Sequence, residues 1–223
     1  MRIICLGDEL TAAPGLPEGD RWPTILQGRL DQWQSGRFDV YNCGQAGDTS
    51  FHVHERFVAE VAPHLPGLVI TCLGFNDADV RPGYRQARVC LDGFRRNLSA
   101  IAGLCIVRSS VCILLVPHPP VLAKRDQGDG VEFGDHAVRY LDLVRSTARD
   151  LDLRLIDLPR MMAERKRPVS DLVGADGASL SPEGNHHWAE MVFDGLRPIL
   201  EEHGQGTRRA VRSGRTSAKP KRT

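Results

Sequence analysis

Four short stretches hold the polar side chains that could do chemistry, and each lies after an apolar run or just before a helical pattern. They are Gly7-Asp8-Glu9-Leu10-Thr11, Gly47-Asp48-Thr49, Gly74-Phe75-Asn76-Asp77, and residues 176–184. A turn after the first strand is where a hydrolase would display a nucleophile, but the residue here is a glutamate, Glu9. The Asn76 amide could donate to an oxyanion, backbone N–H groups around Gly47 could approach a ligand, and Asp176 adds a second carboxylate.

The elements that must position these stretches alternate between strands and helices. Short apolar runs predict strands at residues 2–6, 38–43, 68–73, 111–116 and 153–158, as expected for a parallel sheet that is buried on both faces. The intervening segments have helical spacing, and the last helix is predicted to begin after Ser181 as N-cap and to stop near Gly204. This alternation predicts a doubly wound α/β fold, in which ligands bind beyond the C-terminal ends of the strands.

In order and spacing, the four stretches resemble the SGNH (GDSL) hydrolase superfamily from residue 1 to about residue 203. The resemblance implies that family's flavodoxin-like fold, with five parallel strands between helices. It also implies an esterase, lipase, deacetylase or thioesterase activity that uses a Ser/His/Asp triad and an oxyanion hole. By position, the family's oxyanion glycine is Gly47, its oxyanion asparagine is Asn76 and its triad aspartate is Asp176.

Two positions depart from the family pattern. Glu9 stands where the family has its serine, and Ser179 stands where it has its histidine, three residues after Asp176. In a triad the imidazole takes the hydroxyl proton while the carboxylate orients the imidazole, so ordinary serine esterase activity is not expected here. The replacement bases that the sequence offers are His118, after the fourth strand, and the pair His186 and His187 in the last helix.

The pairing of Glu9 with Asp176 leaves several functions open. The two carboxylates could act as general acid and base on a small acyl, ester or sugar-type substrate, or Glu9 could attack a carbon directly. Together with Asp77 they could hold a divalent cation. Alternatively, Glu9 fills the oxyanion site with its own carboxylate, and the chain is an inactive hydrolase-like module that binds a small ligand or a partner.

We therefore expect Glu9 and Asp176 to be catalytic if the chain is an enzyme. The residues expected to form the oxyanion or substrate site are Gly47, Asn76, Asp77, His118 and Ser179. No cofactor and no dedicated metal site are expected.

The composition indicates the class of protein to which this site belongs. The 223 residues are 41% hydrophobic and 26% charged, which is typical of a single soluble globular domain. No apolar run approaches the roughly 18 residues of a membrane span, and the first strand begins at residue 2, so we expect a cytoplasmic protein without a membrane partner. The six cysteines lie mostly in apolar runs without a CxxC pair and are expected to be reduced and buried.

The C-terminal segment differs from the SGNH-like domain of residues 1–203. Residues 204–223 contain no acid and lack apolar periodicity, which predicts a disordered tail. Its basic residues are Arg208, Arg209, Arg212, Arg215, Lys219, Lys221 and Arg222. Because no aromatic residues interleave with these charges, we expect a solvated tail, and nucleic acid is a partner only if this tail binds it.

Overall fold

One parallel sheet of five strands organises the protein. The computed structural model describes the backbone of residues 1–120 and 127–214, and the side chains of residues 1–120 and 127–203. The strands are β1 (Arg2–Gly7), β2 (Asp39–Gly44), β3 (Gly67–Cys72), β4 (Val111–Val116) and β5 (Arg154–Asp157), in the spatial order β2-β1-β3-β4-β5. Every predicted strand is found, within one residue at each end.

Helices occupy the segments between the strands, where the sequence has helical spacing, and short helices also follow β1, β3 and β5. They are α1 (Glu9–Ala12), α2 (Trp22–Trp33), α3 (Ser50–Arg56), α4 (Phe75–Ala78), α5 (Leu91–Ile106), α6 (Phe133–Asp150), α7 (Leu158–Glu164) and α8 (Pro182–Gly214). Helix α2 packs on α8, while α5 packs on α6 and on α3, so helices flank the sheet as the doubly wound prediction requires.

The boundaries of α8 match the prediction at one end only. The Ser181 hydroxyl oxygen accepts a hydrogen bond from the Gly184 N–H at 2.9 Å, which is the predicted N-cap. The helix then continues to Gly214, so the predicted end near Gly204 is wrong. Residues 215–223, the remainder of the predicted tail, lie outside the described residues.

Strand register brings the loops together at one edge of the sheet. Gly7, the last residue of β1, lies beside Gly44 of β2 and Cys72 of β3. A side chain at Gly7 would collide with the Cys72 carbonyl and the Thr11 side chain, and one at Gly44 would collide with the backbone of α1. Glycine at both strand ends therefore allows α1 to fold back against this edge, which is where the candidate site forms.

Cysteine burial follows the apolar runs. All six cysteines are free, and Cys5, Cys72, Cys105 and Cys112 are buried as predicted. The prediction is wrong for Cys90, which is exposed, and for Cys43, which is half-buried. Cys90 lies just before α5, whereas the four buried cysteines lie within strands or within α5. Within the described part of the chain, no helix has the length and apolarity to cross a membrane.

Candidate active site

Glu9 is presented by a tightly held turn at the end of β1. It is the first residue of α1, and the Asp8 carboxylate caps that helix by accepting the Leu10 N–H at 3.0 Å. The Trp22 indole N–H donates to the Leu10 carbonyl at 2.8 Å, which fastens the turn to α2. The backbone that carries Glu9 is thus fixed from both sides, and its side chain is half-buried.

The Glu9 carboxylate occupies the expected oxyanion position. Its Oε2 atom accepts hydrogen bonds from the Gly47 N–H at 3.1 Å and from the Asn76 side-chain amide at 2.5 Å. Gly47 has a φ of +82°, a left-handed conformation that favours glycine and that directs its N–H at this point. The Gly47 N–H and the Asn76 amide therefore converge on one oxygen atom of Glu9. The sequence predicts that these three residues share a site.

An arginine that sequence reasoning missed holds the loop that supplies Gly47. The Arg56 Nε donates to the Asp48 carboxylate at 2.6 Å, and its Nη2 donates to the Cys43 carbonyl at 2.8 Å. Both side chains of this ion pair are largely buried. Arg56 lies at the end of α3, outside the four polar stretches, so the sequence carried no signal for its role.

Asp77 is adjacent to Asn76 but faces another element. Its carboxylate accepts the Ser50 N–H at 2.9 Å and the Ser50 hydroxyl at 2.6 Å, which ties α4 to the beginning of α3. Burial raises the pKa of Asp77 to about 6, against the effect of these hydrogen bonds. The structure therefore places Asp77 as a support that orients α4 and Asn76 rather than in contact with Glu9.

Asp176 and Ser179 form a compact turn. One Asp176 oxygen accepts the N–H groups of Ala178 at 3.1 Å and of Ser179 at 2.9 Å, and the other accepts the Ser179 hydroxyl at 2.6 Å. Ser179 thus takes up the carboxylate that would orient a histidine in a triad. Ser179 and Glu9 line the same cavity of about 280 Å³, whose walls include Leu10, Leu16 and Leu180.

His118 lies behind this site, fully buried. Its ring packs edge-on against Phe75 at 5.5 Å and Trp188 at 5.4 Å between centroids. Burial lowers its pKa to about 4, although the Ala178 backbone and the Asp176 charge favour the protonated ring. Within residues 1–120 and 127–203, neither ring nitrogen has a hydrogen-bond partner. His118 is therefore a neutral ring at neutral pH and is not placed on a hydroxyl that it could activate.

The two remaining candidate bases lie on α8. His186 is exposed, and His187 lies 3.5 Å from the Glu183 carboxylate and 3.9 Å from that of Glu190. These neighbours belong to the same helix, so His187 faces the surface charges of α8.

Burial and the charge of Glu9 both act on the neighbouring Asp8. Burial, and then the charge of Glu9, raises the pKa of Asp8 well above its usual range. One Asp8 oxygen has no hydrogen-bond partner in the described part of the chain.

Arg88 is a second arginine that the sequence did not indicate. Its Nη2 donates to the Gly47 carbonyl at 2.8 Å, which supports the loop that carries the Gly47 N–H.

The three candidate carboxylates accept hydrogen bonds in separate parts of the described site. Among the described residues, no three or more His, Cys, Asp and Glu side chains are grouped to hold a metal ion. Glu9, Asp77 and Asp176 each accept hydrogen bonds from a different set of donors.

One family model and two curated proteins match parts of this chain. The model of the GDSL-like Lipase/Acylhydrolase family matches residues 5–187. Over 75 residues the chain is 36% identical to Esterase TesA of Pseudomonas aeruginosa, a stretch that covers 34% of this chain and 37% of that protein. It is equally identical over 75 residues to Thioesterase 1/protease 1/lysophospholipase L1 of Escherichia coli K12, covering 34% of each chain. The match thus spans about a third of the length of these curated relatives.

Solved structures show the same fold. The crystal structure of TesA has a TM-score of 0.70 at 23% identity and covers 89% of this chain and 99% of its own. The lipase/acylhydrolase from Enterococcus faecalis has a TM-score of 0.70 at 20% identity, covering 89% and 96%. At this level of identity the likeness concerns the fold alone.

Proposed function

Since the chain belongs to the GDSL-like lipase/acylhydrolase (SGNH) family, we propose that it is a member that binds a small acyl, ester or sugar-type ligand in its cleft without hydrolysing it. One observation carries the proposal: the Glu9 carboxylate accepts hydrogen bonds from both Gly47 and Asn76. These are the two donors that the resemblance assigns to the oxyanion hole.

The position of Glu9 opposes ester hydrolysis in two ways. A substrate carbonyl would have to displace the carboxylate from both donors before it could be polarised. If the carboxylate stayed, its negative charge would repel the oxyanion that develops in the transition state. The donors that should be preorganised for the transition state are instead satisfied in the resting protein.

Among the described residues, the rest of the site offers no standard route to an activated nucleophile. Asp176 accepts the hydroxyl of Ser179 rather than the N–H of an imidazole, and burial keeps His118 neutral. A Ser179 hydroxyl that donates to a carboxylate is held as a hydrogen-bond donor and is not deprotonated by an imidazole base. The cleft retains space beside these groups, because the cavity of about 280 Å³ has apolar walls at Leu10, Leu16 and Leu180.

A second candidate is a hydrolase that uses carboxylates. It is favoured by one feature, the exposure of Glu9 to the same cavity as the Ser179 hydroxyl, which is bonded to Asp176. In that case Glu9 would leave Asn76 when substrate enters and act as nucleophile or general base, with Asp176 as its partner.

Hydrolysis of p-nitrophenyl acetate separates these functions. For the binding module, the wild-type protein and Glu9→Gln should release nitrophenol no faster than buffer. The double variant Glu9→Ser with Ser179→His should gain activity, because it restores a hydroxyl beneath the Gly47 and Asn76 donors and an imidazole beside Asp176. Ser179→His alone is the matched control, since it retains the Glu9 carboxylate and should remain inactive.

Two results would contradict the proposal. Wild-type hydrolysis that is lost in Glu9→Gln would identify the carboxylate-based enzyme. Wild-type hydrolysis that Glu9→Gln leaves intact would exclude both candidates and point to a nucleophile elsewhere in the cleft.

A further inference from the structure

A second cavity, of about 690 Å³, lies beside the Glu9 cleft and is lined by positive charge. Its walls come from the beginning of α3, the segment between α4 and α5, and the first turns of α5. Arg81, Arg88 and Arg96 line it together with His52 and Asn97, and its described lining residues include no Asp or Glu. In the described structure it shares no lining residue with the Glu9 cleft.

The arginines of this cavity have no ion-pair partner among the described residues. Within residues 1–120 and 127–203, none of Arg81, Arg88 and Arg96 forms an ion pair with a carboxylate. Arg88 is close enough to Arg81 that their repulsion, after burial, lowers the pKa of Arg88. Like charges that face one cavity without a counter-ion form a site that an anion would stabilise.

The carboxylates nearest to Arg88 are engaged elsewhere. Asp79, Asp77 and Glu9 all act on Arg88 electrostatically. However, Asp79 accepts the Gln127 amide at 3.2 Å, Asp77 accepts the Ser50 N–H and hydroxyl, and Glu9 accepts Gly47 and Asn76. The nearby acids therefore reduce the positive potential without occupying the guanidinium groups.

The other lining residues add donors and apolar surface. The Nδ1 atom of His52 accepts the Thr49 N–H at 3.2 Å, so its ring hydrogen lies on Nε2 and is a further donor. The aromatic rings of Phe51 and Tyr84 also line the cavity, and they are 52% and 65% exposed. Large exposed aromatic side chains beside arginines are typical of a surface that binds a ligand.

We propose that this cavity binds a small molecule that carries a phosphate group and an aromatic portion. Planar guanidinium groups match the oxygens of phosphate with paired, charge-assisted hydrogen bonds, and Arg81, Arg88 and Arg96 supply three of them. Phe51 and Tyr84 would contact the aromatic portion. This inference does not depend on the function proposed for the Glu9 cleft, because the two cavities share no lining residue in the described structure. Arg88 also donates to the Gly47 carbonyl and is therefore left unchanged in the test variants.

Isothermal titration calorimetry with phenyl phosphate tests the inference on the full chain. We expect saturable binding that weakens as salt is added, and no binding of phenol, which lacks the phosphate. Arg81→Gln with Arg96→Gln should weaken binding by about tenfold or more, the effect of losing charge-assisted hydrogen bonds. Both arginine side chains are exposed, so this variant should fold, which its circular dichroism will verify.

Arg85→Gln is the matched control. Arg85 belongs to the same segment and carries the same charge, but it does not line the cavity, so its variant should bind phenyl phosphate like the wild type. Failure of the wild type to bind millimolar phenyl phosphate would overturn the inference. So would an equal loss of affinity in Arg85→Gln and the double variant, because the effect would then be one of net charge. Inorganic phosphate that binds as tightly as phenyl phosphate would overturn the role of Phe51 and Tyr84.

Discussion

The Glu9 carboxylate accepts the Asn76 side-chain amide at 2.5 Å, and the same oxygen accepts the Gly47 N–H. The two donors come from different loops, one after β2 and one after β3, and they meet on a side chain that follows β1. Glu9 therefore acts as an internal ligand that joins three loops at the edge of the sheet. Its removal should have consequences for stability as well as for chemistry.

Glu9→Ala should lower the free energy of unfolding by about 1–3 kcal/mol. The substitution leaves the Asn76 amide and the Gly47 N–H without their shared acceptor, and Asn76 is only 6% exposed. Acetate supplies a free carboxylate of the right size, so adding it should restore part of the loss in the variant. Urea denaturation with and without acetate measures both effects.

Glu9→Gln is the control for this experiment. Its amide oxygen can still accept hydrogen bonds, so the variant should lose less stability than Glu9→Ala and should not respond to acetate. Equal stability of the alanine variant and the wild type would show that the Glu9 hydrogen bonds contribute nothing to folding.

Arg56→Gln should be far more damaging than the loss of a surface arginine. Arg56 and Asp48 are largely buried, and removing the guanidinium leaves the Asp48 carboxylate without its partner while freeing the Cys43 carbonyl. We expect a loss of about 3 kcal/mol, as for other broken buried pairs. Arg95→Gln, which breaks an exposed pair with Asp150, should cost less than about 1 kcal/mol and is the matched comparison in thermal or urea unfolding. Similar losses in the two variants would contradict the supporting role of Arg56.

The sequence predicts the sheet from local patterns, and it predicts the convergence of Glu9, Gly47 and Asn76 through the family resemblance. Apolar runs give the strands, parallel register then brings the loops to one edge, and a family resemblance supplies the pairing of residues far apart in the chain. The sequence does not predict Arg56 or Arg88, since a long side chain can reach across from a segment with no pattern of its own. It also does not predict which way a short side chain points: Asp77 neighbours Asn76 but turns to Ser50.

Asp77→Asn should change how stability depends on pH. Burial raises the pKa of Asp77 to about 6 in the folded state, above the value of roughly 3.9 for an unfolded chain. The folded protein therefore holds this proton more tightly, so the Asp77 contribution to stability is present at low pH and is lost as pH rises from about 4 to about 6. The asparagine variant lacks this loss, and its unfolding free energy relative to wild type should increase by up to about 3 kcal/mol across that window. A difference that stays constant with pH would show that Asp77 is not titrating there.

His118 should act in the opposite direction over nearly the same window. Burial between Phe75 and Trp188 lowers the pKa of His118 to about 4 in the folded protein. In an unfolded chain a histidine has a pKa of roughly 6.5. The unfolded chain therefore binds the proton first, and the stabilisation present above pH ~6.5 is lost as pH falls towards 4. His118→Phe keeps an aromatic ring in this position and removes the titrating group. Between about pH 6.5 and pH 4 its free energy of unfolding should therefore fall by up to about 3 kcal/mol less than that of the wild type.

Urea denaturation of wild type, Asp77→Asn and His118→Phe between pH 4 and 7 separates the two opposed contributions, which in the wild type partly cancel. If His118→Phe follows the wild-type pH profile, then folding does not lower the pKa of His118, and a ring that titrates near its ordinary value becomes a candidate base for the cleft.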